Sequence, residues 1–204
     1  MKKHRTALMA MAIVAAVAAP AAAEPAQKSV FSFRGMTGDA TWSAFNGCTF
    51  SSVRVLANQN LSHSTGGPPS DETDEVAVFY TIFDVCANTF RFGSGSGSGF
   101  IDGSLRSLTV EGTIPITQFD STGQTIQTTA TVIVTLTATG DVTRGENNFT
   151  ITTPTTVTAV RSVGASTSAV PSGVVVVDGV DLIDGLSGAG TIAQTNGGTV
   201  TIFH

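Results

Sequence analysis

From Thr131 to Ala138 the chain reads Thr-Val-Ile-Val-Thr-Leu-Thr-Ala, with Val132, Val134, Leu136 and Ala138 at every second position. A repeat of two is that of an extended strand, whose successive side chains point to opposite faces; a helix buries positions three and four apart. The same texture runs through the chain from Glu24 onward, where Ser and Thr supply 49 of 181 residues and no amphipathic helical stretch is found. Abundant β-branched residues and glycine favour strands over helices. Strands are expected at Val30–Arg34, Ala40–Phe45, Cys48–Leu56, Val76–Cys86, Leu105–Phe119, Thr125–Thr139, Phe149–Val163, Ser168–Val177 and Thr199–Phe203, with turns at Asp120–Gly123 and Thr139–Asp141. About nine strands with turn signals between them predict an all-β fold, a single antiparallel β-sandwich or jelly-roll-like domain over residues 24–204.

Residues 1–23 read as a removable export signal. Lys2, Lys3, His4 and Arg5 give a basic start, and Ala7 to Ala19 is an apolar run of 13 residues. Pro20 breaks that run, and Ala21-Ala22-Ala23 offers the small side chains a signal peptidase accepts. A span of about 20 apolar residues is needed to cross a bilayer, so no integral membrane segment is expected after signal removal. No cysteine follows the cleavage site, which speaks against a lipid anchor. The expected location is periplasmic, envelope-associated or secreted. The remaining chain holds 7 Lys and Arg against 15 Asp and Glu. That balance argues against a nucleic-acid partner, which needs clustered cations to displace counterions, and against anionic membrane surfaces.

Export places Cys48 and Cys86 where disulfides persist, and a structural bridge between them is expected. A hairpin centred near Gly67, in a polar loop from Ser62 to Glu75, would set Cys48 opposite Cys86, Arg54 opposite Tyr80 and Val55 opposite Phe79. Val53, Val55, Phe79, Phe83 and Val85 would then share one buried face. Trp42, Tyr80 and most of the 12 phenylalanines are expected in the core.

Candidates for chemistry are few. Gly93 to Gly99 alternates Gly and Ser and reads as a flexible loop: no Lys follows it, so it is no P-loop, and its Gly-x-Ser-x-Gly strings lack a strand-to-helix elbow. His63 and His204 lie in no nucleophile motif. The acids could supply a hydrolytic carboxylate pair, but none is marked out. Asp178, Asp181 and Asp184 are the candidate calcium ligands, with Asp71–Glu75 a weaker cluster; calcium takes several hard oxygens, yet neither stretch has the EF-hand pattern. No other cofactor is expected. Asn60 and Asn148 head glycosylation acceptor triplets that a bacterial-type signal makes incidental.

Several short strings together resemble a group of exported bacterial proteins of unknown function. They are Gly38-Asp39-Ala40-Thr41, Gly47-Cys48, Phe83-Asp84-Val85-Cys86, Leu105-Arg106-Ser107-Leu108 and Thr137 to Arg144. The resemblance implies a β-rich domain with one disulfide and carries no activity. The ending Gly198-Thr199-Val200-Thr201-Ile202-Phe203-His204, with its penultimate aromatic, is similar to that of chaperone–usher pilins. That likeness implies a fibre subunit whose Val30–Phe33 strand would pair with a neighbour. The leading expectation is a non-catalytic exported domain acting by surface binding or assembly, with a protein or carbohydrate partner. A pilus subunit and a secreted hydrolase are the alternatives.

Overall fold

The computed structural model describes residues 26–65 and 71–203, with the side chain of Asp71 left aside. The expected export signal, the Gly67 hairpin centre and His204 lie outside the described residues. Among those described there are eleven strands and no helix. They are β1 (Lys28–Asn46), β2 (Thr49–Ser64), β3 (Asp71–Asp84), β4 (Thr89–Ser98), β5 (Phe100–Ser104), β6 (Ser107–Asp120), β7 (Thr125–Ala138), β8 (Thr143–Thr152), β9 (Thr156–Val177), β10 (Val180–Asp181) and β11 (Ser187–Phe203). All pair antiparallel in one sheet, as the all-β expectation requires.

Following the ladders gives a ring. β1 pairs with β2, β2 with β3, β3 with β4, β4 with β6, β6 with β7, β7 with β9, β9 with β11, and β11 returns to β1. Eight strands leave an interior just wide enough for side chains to fill, and closure removes sheet edges. The interior is built by alternation. Met36, Ala40 and Trp42 face it from β1, Val53, Val55 and Ala57 from β2, and Val76, Val78 and Tyr80 from β3. Leu108, Val110, Ile114 and Ile116 of β6, Val132, Val134 and Leu136 of β7, Ala169, Val175 and Val177 of β9 and Ile192 of β11 are buried with them. Trp42 and Tyr80 are buried as expected.

β9 closes the ring because it is long enough to serve two partners. Its first half pairs with β11 on one side and β8 on the other, and its second half pairs with β7. The sequence expectation had placed one strand across Phe149–Val163. Instead the turn at Thr153-Pro154 divides it, where Thr153 N–H donates to the Thr156 carbonyl at 2.8 Å. A proline offers no backbone donor to a ladder, so the break falls there. The expected gap before Ser168 is absent, and β9 runs unbroken to Val177.

The Gly-Ser run is a strand rather than a loop. Its repeat of two is the strand period, and β4 points glycines inward and serines outward. Gly93 faces Tyr80 in register, and a Cβ at Gly93 would collide with the tyrosine ring. A Cβ at Gly95 would collide with the Pro115 carbonyl of β6. Glycine is required where two strands and a buried ring approach this closely.

The β2–β3 hairpin is one residue out of the expected register. Thr49 faces Asp84, Val53 faces Tyr80, Arg54 faces Phe79 and Val55 faces Val78. A shift of one inverts the face of a strand. Val76, Val78 and Tyr80 therefore point into the barrel, while Phe79 and Phe83 point out. The Tyr80 hydroxyl donates to Oε1 of Gln118, which is also buried. We expect Tyr80→Phe to cost about 1–3 kcal/mol in chemical denaturation, since Gln118 would lose its partner. Burial raises the Tyr80 pKa, with Arg91 opposing and Asp178 adding to the shift. A raised folded-state value means the contribution is complete below the unfolded tyrosine pKa near ~10 and is lost as pH rises through the folded one. Tyr80→Phe should flatten that alkaline decline.

Four strands continue beyond the barrel core. Residues 28–35 of β1, 58–64 of β2, 156–166 of β9 and 194–203 of β11, joined by β8, form a sheet extension in which no side chain is buried.

Candidate functional site

Cys48 and Cys86 stand at disulfide distance, with Cα atoms 5.4 Å apart. The expected pairing holds although the ladder register shifts. The ladder ends at Thr49 and Asp84, and the Asp84 carboxylate accepts hydrogen bonds from the Cys86 and Ala87 amides at 2.9 and 2.8 Å. That turn folds Cys86 back towards Cys48, whose carbonyl accepts from Val85 N–H at 2.8 Å.

Around this pair lies the largest departure from the sequence expectation. Ten of the twelve phenylalanines are exposed, and none belongs to the core. Sheet register gathers several of them. Phe45 of β1 faces Phe50 of β2, Phe50 faces Phe83 of β3, and Phe83 faces Phe90 of β4. One row thus crosses four adjacent strands on the outer face. A second step places Phe92 of β4 opposite Phe119 of β6, with Phe79 on the same face. Directly opposed side chains on one face have Cβ atoms about 5 Å apart, so each row presents neighbouring phenylalanines on one stretch of the outer face. The alternation was legible in the sequence. Its phase was not, because inner positions belong to Val, Ala, Gly, Ile and Leu, whose volumes fill a narrow barrel.

The acids are dispersed among separate tasks. Asp178 accepts from the Thr128 hydroxyl at 2.5 Å, and Asp181 Oδ1 accepts from the Val175 and Ile183 amides at 3.1 and 3.2 Å. Asp184 is exposed beside them. Among the described residues no three His, Cys, Asp or Glu side chains gather to hold a metal ion. The two Asp181 bonds tie its turn back to β9. Asp39 takes both ends of the Arg54 guanidinium, at 3.0 and 2.6 Å, and raises its pKa through that pair. Asp120 caps the β6–β7 turn: the Thr122 hydroxyl lowers its pKa most, with the Thr122 and Gln124 amides adding to it. Asp74 Oδ2 accepts from Ile101 N–H at 3.1 Å, while its Oδ1 is buried without a partner. Asp74 and its acidic neighbours lie on β3 rather than in a loop. His63 is likewise on a strand, β2, facing Ser32 of β1. Val30–Phe33 pairs in register with β11, the strand that carries Gly198–Phe203, and Phe31–Phe33 pairs with β2 on the other side.

No protein-family model matches the chain, and no curated protein does. Among solved structures, it is similar to an acetoacetate decarboxylase-like enzyme from Sphingomonas wittichii RW1, at 10% identity and a TM-score of 0.34, over 83% of this chain and 90% of that one. A likeness so distant carries no argument about activity.

Proposed function

We propose that the protein is an exported, non-catalytic barrel that works in the cell envelope or outside it by surface binding or assembly, through the phenylalanine rows beside Cys48 and Cys86. The in-register row Phe45–Phe50–Phe83–Phe90 supports the reading. Exposed apolar side chains scattered singly need no explanation, but contiguous patches rimmed by polar residues mark interaction surfaces. Here the outward neighbours include Ser43, Ser52, Thr81 and Ser94, with Arg54 facing Phe79. Aromatic residues, Phe among them, are also enriched in the buried core of interfaces.

The double substitution Phe50→Ser, Phe90→Ser removes two links of the row at exposed positions. It should change folding stability by no more than about 0.5 kcal/mol per site. Retention on a phenyl resin, and self-association in sedimentation velocity across a hundredfold concentration range, should fall at least tenfold. Unchanged retention and association would remove the outer rows from the function. For the export step, secreted protein should begin at Glu24, and reduction should add the two hydrogens of the bridge to its mass.

A further inference from the structure

The sheet extension has two faces, and its ionisable groups lie on one. The ladders run without a bulge, so directly opposed residues share a face from strand to strand. The face that continues the barrel lining carries Lys28, Val30, Ser32 and Arg34 from β1, then Asn196, Gly198, Val200 and Ile202 from β11. β9 adds Val157, Ala159, Arg161 and Val163, and β8 adds Arg144 and Glu146. The opposite face holds Phe31, Phe33, Phe149, Val160 and Ile151 among Ser, Thr, Gly and Asn.

Four of the seven Lys and Arg that follow residue 23 therefore stand on one side of one extension, in a chain with 15 acids. Glu146 pairs with Arg161 at 3.0 Å and accepts from Asn148, which lowers its own pKa, the Asn148 hydrogen bond contributing most. Between these charges the floor is aliphatic: Val30, Val200, Ala159 and Val163. Gly198 sits in the middle with no side chain, facing Ser32 on one flank and Arg161 on the other. Two adjoining depressions of about 390 and 500 Å³ share Arg161, Gly198 and Val200, and a third of about 380 Å³, which holds Arg34, meets the first at Ser32. A trough of that size, apolar along its floor and cationic at its margins, matches a small-molecule site with few polar anchors.

We propose that this trough binds a free amphipathic carboxylate, an acyl chain of medium length. Its tail lies over Val30, Val200 and Ala159, and its head is held by Arg34 and Arg161. Charge complementarity selects the occupant, because guanidinium groups take carboxylates in paired hydrogen bonds and the rest of the molecule repels anions. The site is separate from the outer phenylalanine rows and does not depend on them.

The test uses the mature protein with calorimetric titration of sodium decanoate, decanol and decyltrimethylammonium at fixed ionic strength. Decanoate should bind saturably at one site, at least tenfold tighter than decanol, and the quaternary ammonium should not bind. R34Q/R161Q should weaken decanoate at least tenfold and leave decanol unchanged. A159F, which fills the trough at an exposed position, should weaken both. Phe50→Ser should alter neither, so a failure of the outer-row reading leaves this result intact. Equal affinity for decanoate and decanol, unchanged binding by R34Q/R161Q, or capture by phosphatidylglycerol vesicles without decanoate binding would each overturn the proposal. So would concentration-dependent dimerisation that A159F abolishes without any decanoate site.

Discussion

Replacing Gly95 by alanine is expected to lower stability by about 3 kcal/mol or more, the upper end for overpacking a well-filled interior. In a chain of this length that shifts the melting temperature by roughly 10 °C. The Cβ would press on the carbonyl of Pro115, a backbone atom that cannot rotate aside. The contact falls where the barrel has little reserve, since β4 and β6 are joined by only four residue pairs, Arg91–Asp120 to Ser94–Thr117. Ser96→Ala, one residue away on the outer face, should change stability by no more than about 0.5 kcal/mol. Thermal unfolding of the two variants side by side decides the matter. Equal, small effects would mean that Gly93–Gly99 is a loop after all.

Removing the bridge is the second large effect. Cys48→Ala, Cys86→Ala frees two residues 38 apart in sequence. The chain-entropy treatment assigns about 4 kcal/mol to a closed loop of that size. The loss should appear as a lower midpoint in denaturant, and reduction of the native protein should reproduce it. The pair ties the ends of β2 and β3 beside Phe50 and Phe83, so the phenylalanine row should fray with it. Phenyl-resin retention of the reduced protein tests that coupling. A midpoint that does not move on reduction would show that the barrel ladders alone hold this end.

How much of this was legible follows from what period-two patterning encodes. Alternation along Thr131–Ala138 named both the strand and its buried face, because one face there is uniformly aliphatic. The Cys48–Cys86 pairing was legible for a different reason: two strand-like segments enclosed a turn signal, and the bridge tolerates a shift of one residue. The shift itself was not legible. Val53–Arg54–Val55 fixes the phase of β2, but Val76 to Phe83 is apolar on both sides, so sequence could not tell Val78 and Tyr80 from Phe79 and Phe83. That ambiguity sent the phenylalanines to the core. The Gly-Ser run misled for a related reason, since its period of two was outweighed by a composition typical of linkers; only Tyr80 and Pro115 pressing on its glycines give it a place. The cationic trough could not be read locally at all. Lys28, Arg34, Arg144 and Arg161 are far apart in the chain and meet on one face only through the ladders joining β1, β11, β9 and β8.

The claim on which everything else rests is that the aliphatic side chains point in and the phenylalanines point out. Adjacent residues of β3 test it. Val78 is buried and faces Val55, whereas Phe79 is 40% exposed and faces Arg54. With the native bridge oxidised, Phe79→Cys should react with a maleimide about as fast as an unfolded control, and Val78→Cys should react only after denaturant is added. The reverse pattern would place the phenylalanines inside, and with them would go the outer binding surface.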